Sequence, residues 1–147
     1  MDYLPLHFNL KSRRCLLVGG GEIALRKADL LVQAGAHITV VALEVCAPLK
    51  VLLAAEHHEI NVRAYASSDI SGKSLVVSAT ENSQVNQQVA DDANAIGIPV
   101  NVVDKPALCS VIFPAIVDRS PVVLSISTGG KSPVLTRMLR HLLESLV

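Results

Sequence analysis

The sequence predicts an α/β fold built on a doubly wound parallel sheet, and three observations carry that expectation. Cys15-Leu16-Leu17-Val18 is an apolar run that breaks at Gly19-Gly20-Gly21 and resumes as helix formers from Glu22 to Ala28, which reads as strand, tight turn and helix opening. Further apolar runs of strand length alternate with helical stretches along the next eighty or so residues, the rhythm of β-α units. Half of the residues are hydrophobic but only 3% are aromatic, so the core must be built from Val, Leu, Ile and Ala. That is the composition of parallel strands covered on both faces.

Taken in order, Tyr3–Leu10 alternates loosely and is expected to add a short edge strand before the Lys11–Arg14 turn. After the glycines, Glu22–Ala34 places Ile23, Leu30, Leu31 and Ala34 at helical spacing, with Gly35 as the terminating glycine. Ala36–Val41 is a second strand, Val45–His57 a second helix with Leu49, Leu52 and Leu53 on one face, and Glu59–Tyr65 a third strand. Ser67–Lys73 is rich in turn residues, and Ser74–Thr80 is a deeply apolar fourth strand. Glu81-Asn82-Ser83 offers capping groups to a helix from Gln84 to Ala95, ended near Gly97, and Pro99–Asp104 is the fifth strand. Beyond Lys105-Pro106 the rhythm changes. Val111–Val117, interrupted by Pro114, and Val122–Thr128 read as an antiparallel pair joined by Asp118–Pro121. A last helix runs to Leu146, with Ser132 as N-cap and Pro133 in its first turn. The expected division is a domain over 1–113 and a small α+β segment, a hairpin plus one helix, over 114–147.

Thirteen basic residues balance thirteen acidic ones, so no global field favours nucleic acid. No apolar run approaches the length of a membrane span, and Met1–Pro5 lacks the basic start and apolar core of a signal peptide. Cys15, Cys46 and Cys109 are isolated and odd in number, which suits reduced thiols in a cytoplasmic protein. His7, His37, His57, His58 and His141 show no zinc-ligand spacing, so no protein-bound metal is expected.

The candidate site begins at Gly19-x-Gly21-x-x-Ala24, the alanine variant of the dinucleotide-binding fingerprint. Gly19 permits the turn, Gly21 lets backbone approach a pyrophosphate, and Ala24 lets helix and strand pack closely. An ordinary tight turn shares the same pattern. Glu44 falls slightly beyond the position where an acid normally holds the adenosine ribose, and it reads equally as the start of the next helix. No cation lies near it in sequence to receive a 2′-phosphate, which favours NAD over NADP. Asp104 ends the fifth strand, where ligands of doubly wound sheets gather, and could serve as a general base; a loop aspartate capping local amides is the alternative. Asn101 reads as a polar residue near a strand end, and Arg26 and Lys27 as a solvated helix face. Gly130-Lys131-Ser132 fails as a phosphate loop, because Ser125 stands where a glycine is needed and Pro133 follows. What survives there is a carboxylate-binding corner made of amides, Lys131 and a helix start, or simply a capped helix.

Gly19–Lys27, Asn101-Val102-Val103-Asp104, Phe113-Pro114-Ala115, Asp118–Pro121 and Ser127–Leu135, in that order, resemble the siroheme synthase family, in its N-terminal precorrin-2 dehydrogenase and sirohydrochlorin ferrochelatase portion. The resemblance covers essentially the whole chain. It implies a Rossmann-type domain followed by a dimerisation segment that shares active sites in a homodimer. It also implies NAD-dependent oxidation of precorrin-2 to sirohydrochlorin and Fe²⁺ insertion to give siroheme, with Asp104 serving both steps. Under it, Gly19 and Gly21 with Glu22, Ile23, Leu43 and Glu44 contact NAD, and Asn101, Lys105, Arg119 and Lys131 bind the carboxylate-rich tetrapyrrole. The family commonly has a phosphorylated serine where this chain has Thr128, so modification there is expected only insofar as the hydroxyl survives. Later family helices are missing after residue 147, which makes a trimmed piece of the enzyme, or a non-catalytic NAD-sensing module, the alternatives to a working enzyme.

Overall fold

Strand β1, Arg14–Val18, is the centre of the main sheet, and its last four residues are all buried. It pairs in parallel with β2, His37–Ala42, on one side and with β4, Leu75–Ser78, on the other. Strand β3, Glu59–Val62, extends the sheet beyond β2, and β5, Val100–Val102, extends it beyond β4. The order is therefore β3-β2-β1-β4-β5, all parallel. The computed structural model describes residues 1–147, in two units: Leu6–Ser110, and Met1–Pro5 with Val111–Val147.

Both faces of the main sheet are covered, and side-chain alternation assigns them. Leu16, Val18, Val76, Val100 and Val102 pack with Val89, Ala90 and Ala93 of helix α3, Ser83–Ala95, in one apolar cluster. Cys15 and Leu17, pointing the other way along β1, are fully buried, as are Ala24, Ala28 and Leu31 of helix α1, Glu22–Gln33. Ala24 and Ala28 thus join the expected Leu31 in the most buried stripe of α1, in place of Ile23, Leu30 and Ala34, and these small residues permit close helix–sheet packing. Ile23 stays 38% exposed at the helix start. Each fully buried Leu or Val contributes about 1.5–3 kcal/mol relative to exposure.

The helix ends follow local chemistry. Gly35 (φ +76°) and Gly97 (φ +73°) close α1 and α3 in the left-handed conformation. In each case the next residue donates back into the last turn, Ala36 N to Leu31 O at 3.0 Å and Ile98 N to Ala93 O at 2.9 Å. Asn82 Oδ1 caps α3 by accepting from Gln84 N and Val85 N at 3.0 and 3.1 Å. Helix α2 is shorter than its apolar spacing predicts, spanning Ala47–Leu52. Beyond Leu53 the chain is drawn away because His58 Nδ1 accepts from Ile38 N of β2 at 3.1 Å, a long-range bond that sequence spacing does not reveal.

In the other unit, β6, Ala115–Arg119, and β7, Val122–Ile126, form an antiparallel hairpin around a cis Ser120–Pro121 bond. Strand β6 starts after Pro114, which has no N–H to offer a ladder, and runs two residues further than expected. Helix α4, Pro133–Glu144, is capped by Ser132 Oγ on Leu135 N at 3.3 Å. The edge strand expected over Tyr3–Leu10 does not form. Pro5 removes one donor, Leu4, Leu6 and Phe8 remain largely exposed, and only Leu10 is buried.

Candidate functional site

Because β1 to β5 are parallel, their carboxyl ends share one rim, and every loop that leaves this rim belongs to the Leu6–Ser110 unit. The strand order reverses between β1 and β4, the switch point where such sheets open a crevice. Three consecutive glycines stand at that point, each with a different task. Gly19 has φ +125°, and a Cβ on it would run into the Ala79 carbonyl in the loop after β4. On Gly20 a Cβ would strike the Glu44 carbonyl, with Val45 Cα 2.9 Å away, in the loop after β2. Cys46 N donates to Gly20 O at 2.8 Å, sealing the same approach. Nothing lies within 4 Å of the place a Gly21 Cβ would occupy. Gly19 and Gly20 therefore let neighbouring loops meet, whereas Gly21 leaves the surface open.

That opening leads to the start of α1, whose N-cap is Gly21 and which no side chain caps. Unpaired N–H groups and the positive end of the helix dipole make such a terminus attractive to an anion. The fit to a pyrophosphate is good: open approach, bare amides, and Ala24 fully buried against the sheet behind them. Glu22 and Ile23 are exposed beside the opening, and so are Leu43 and Glu44 just past β2. A cation, Arg63, directly follows β3, and its N donates to Ala42 O at the end of β2 at 3.0 Å. Its guanidinium is committed to Asp69 through bonds of 2.9 and 2.7 Å.

Asp104 is exposed in the turn after β5, with φ +59°. For a residue with a Cβ that conformation costs about 1–3 kcal/mol, although aspartate tolerates it better than most. Ser12 also has positive φ, in an ordinary turn, so the strain alone marks nothing; its place on the rim distinguishes Asp104. Lys27, on the second turn of α1, is half-buried; burial pulls its pKa down and the Asp104 carboxylate pulls it back up. Lys27 thus belongs with Asp104 electrostatically, although its sequence setting reads as a solvated face. Asn101 lies buried within β5 opposite Val77, and Lys105 is exposed on the far side of the turn.

A buried polar pair missed by sequence reading fixes the loop between these groups. Ser78 Oγ donates to Asn86 Oδ1 at 2.7 Å, and Asn86 Nδ2 donates to Thr80 O at 3.0 Å, tying α3 to the end of β4. The available signal was weak: a serine closing an apolar strand and an asparagine on the inner face of the following helix. An open groove of about 520 Å³ between α1 and α2, lined by Leu25, Arg26, Asp29, Pro48, Val51 and Leu52, includes none of the rim groups. No group of three or more His, Cys, Asp or Glu is arranged to hold a metal ion.

The remaining expected residues lie in the other unit. Lys131 Nζ pairs with Asp2 Oδ2 at 2.9 Å, both side chains well exposed, so Lys131 already receives a carboxylate that solvent keeps exchangeable. Arg119 is exposed, with Nη1 on Asp118 O at 3.1 Å. Thr128 Oγ1 accepts from Ser132 N at 3.0 Å and lies 3.2 Å from both Ser132 O and Thr136 Oγ1. Its hydroxyl fastens the Gly129-Gly130 turn to α4.

Fold and rim define a Rossmann-type dinucleotide-binding protein, and residues 6–115 match the family model described as NAD(P)-binding. Residues 121–146 match the model for the central part of the sirohaem biosynthesis protein, and the structure of SirC, a precorrin-2 dehydrogenase, superposes with a TM-score of 0.83 at 31% identity over 99% of this chain and 71% of that one. The chain belongs to the siroheme synthase family. It is 56% identical over 145 residues to the siroheme synthase of Pseudomonas entomophila (strain L48), and 53% identical to that of Pseudomonas fluorescens (strain Pf0-1). It spans 99% of its own length but only 31%, about a third, of those relatives. A D-lactate dehydrogenase from Escherichia coli, at 12% identity and a TM-score of 0.51, shares the fold alone. No helix is long and apolar enough to cross a membrane.

Proposed function

We propose that the chain carries out NAD-dependent dehydrogenation of precorrin-2 to sirohydrochlorin, with Asp104 as general base. The observation that carries this reading is an exposed carboxylate on the same strand-end rim as an uncapped helix N-terminus behind an open glycine. Gly19 and Gly21, the α1 amides at Glu22 and Ile23, and the loop residues Leu43 and Glu44 would hold the dinucleotide, Glu44 through the ribose hydroxyls. NAD is favoured over NADP because the guanidinium of Arg63 is already taken by Asp69. When bound, NAD supplies the acceptor for a hydride. Loss of hydride from the macrocycle leaves a proton to be removed, and Asp104 takes it. The αL turn keeps this carboxylate clear of the core and exposed at the rim.

Ferrochelation by the same carboxylate extends the reading: Fe²⁺ is the second substrate, and its insertion displaces two pyrrole protons. Asn101, Lys105, Arg119 and Lys131 are the proposed contacts to the tetrapyrrole, the cations through its carboxylates. A homodimer is proposed through α4, which buries no residue while exposing Val134, Leu135, Met138 and Leu142 at helical spacing. Met138→Glu should convert a dimer into a monomer in sedimentation analysis; an unchanged sedimentation coefficient removes that surface. Modification at Thr128 is compatible only with release of the hydroxyl from Ser132 and Thr136, and mass spectrometry of protein from cells tests it.

The test of the activity is NADH formation at 340 nm when precorrin-2 and NAD are supplied. Asp104→Asn should abolish it while leaving NAD affinity intact. Undiminished turnover in that variant removes Asp104 as base, and NAD binding with no turnover in the unaltered protein supports a sensing module.

A further inference from the structure

The turn that carries Asp104 is short, exposed and in a conformation that a side chain resists, so something must hold it. Val103 N donates to Ser78 O at 2.9 Å and Lys105 N to Val102 O at 3.1 Å, which closes the turn but leaves its outer end open. Leu108 N also donates to Lys105 O at 3.0 Å on the outgoing side, and the side-chain fastening converges on one atom, Cys109 Sγ. Val102 N donates to it at 3.2 Å, and Asn101 Nδ2 lies 3.7 Å away. Its single S–H faces Val102 O at 3.2 Å and Lys105 O at 3.4 Å. These partners straddle the turn, since Asn101 and Val102 lead into Asp104 and Lys105 leads out of it.

The sulfur is itself well placed. The 3-10 turn Pro106–Leu108 folds the chain back, with Cys109 N on Pro106 O at 3.1 Å. Ser110 then anchors it to the strand, donating through N to Val100 O at 2.9 Å and accepting from Val100 N at 2.9 Å through Oγ. Cys109 forms no disulfide. Burial raises its pKa, against smaller opposing effects of the Val102 N–H and Lys27, so the S–H remains available to donate. Sulfur suits the position because its long bond and large radius reach several backbone groups at once, whereas a hydroxyl reaches fewer.

We infer that Cys109 is a positioning residue for Asp104: its sulfur ties together the two ends of the turn and so fixes the direction of the carboxylate at the rim. The inference rests on Asp104 being the base. It is tested in the full chain by comparing Cys109→Val, which keeps bulk but removes the bonds, with Cys109→Ser, which keeps a donor and acceptor, and with Asp104→Asn. NAD affinity by calorimetry, unfolding temperature, amide hydrogen exchange over 103–105, and kcat and KM for precorrin-2 oxidation are read for each. Cys109→Val should keep NAD affinity and KM, speed exchange at 103–105, and lower kcat by about ten- to a hundredfold, the cost of a misplaced catalytic group. Cys109→Ser should recover most of the lost kcat. If Cys109→Val does not fold, Cys109→Ala replaces it and is read in the same way. Wild-type kcat in Cys109→Val beside an inactive Asp104→Asn overturns the positioning role and leaves the base in place. Full activity in Asp104→Asn overturns the base and, with it, this role. A joint fall in kcat, NAD affinity and unfolding temperature with no recovery in Cys109→Ser makes Cys109 a packing residue only and overturns the inference.

Discussion

The three glycines of the first turn should respond to alanine in three different ways. At Gly19 alanine meets two obstacles, a backbone angle of φ +125° that side chains avoid and a collision with the Ala79 carbonyl. The first costs about 1–3 kcal/mol and the second about as much again, because two loop backbones must separate. A loss of about 2–6 kcal/mol is a large part of the 5–15 kcal/mol that holds an ordinary domain together, and lowers Tm by about 5–25 °C. Gly20→Ala collides with the Glu44 carbonyl without an angular penalty, so its cost should be about half that. Gly21→Ala meets nothing, and its only structural cost is that of a poorer N-cap, below about 1 kcal/mol. On the proposed reading, its methyl group stands where the pyrophosphate approaches α1. Calorimetry with NAD should therefore show at least about a tenfold loss of affinity, 1.4 kcal/mol, in a protein that melts almost normally. Thermal unfolding by circular dichroism supplies the other axis. Unchanged NAD binding in Gly21→Ala removes the open approach at this glycine, and a Gly19→Ala protein that melts with the unaltered one removes the packing role of Gly19.

Three further outcomes follow from other parts of the molecule. Burial, then the neighbouring His57 and His37, holds the pKa of His58 below its ordinary 6.5, so on acidification the unfolded chain takes up the proton first. Stability should be full above that value and fall with pH until the folded imidazole is itself protonated, and His58→Asn, which retains an acceptor for Ile38 N, should flatten the slope of Tm against pH. Asn86→Ala leaves Ser78 Oγ and Thr80 O without their buried partner, and should cost about 1–3 kcal/mol in denaturant unfolding while weakening NAD binding through the Ala79–Thr80 loop. Lys131→Ala should raise KM for the tetrapyrrole while leaving stability within about 0.5 kcal/mol, because its pair with Asp2 is exposed; an unchanged KM removes Lys131 from the substrate contacts.

Much of the architecture was legible in the sequence because its determinants are local. The five parallel strands, the glycine that closes each of α1 and α3, the Asn82 cap and the Ser132 cap all follow from residues within a few positions of one another. The same holds for Asp104 just past the fifth strand. Where local pattern misled, a distant group or a missing donor intervened: His58 on Ile38 shortened α2, and prolines prevented a strand at Tyr3–Leu10 and delayed β6 to Ala115.

Periodicity, turn chemistry and capping are encoded along the chain, and they suffice to specify a doubly wound sheet, its fingerprint turn and the carboxylate at its rim. Which glycine packs and which stays open, the electrostatic tie of Lys27 to Asp104, and the fastening of the surrounding loops by Ser78, Asn86 and Cys109 emerge once the chain is folded. Those relations join residues from different strands and helices, and a hydrogen bond or a charge depends on distance in space, which spacing along a chain does not specify.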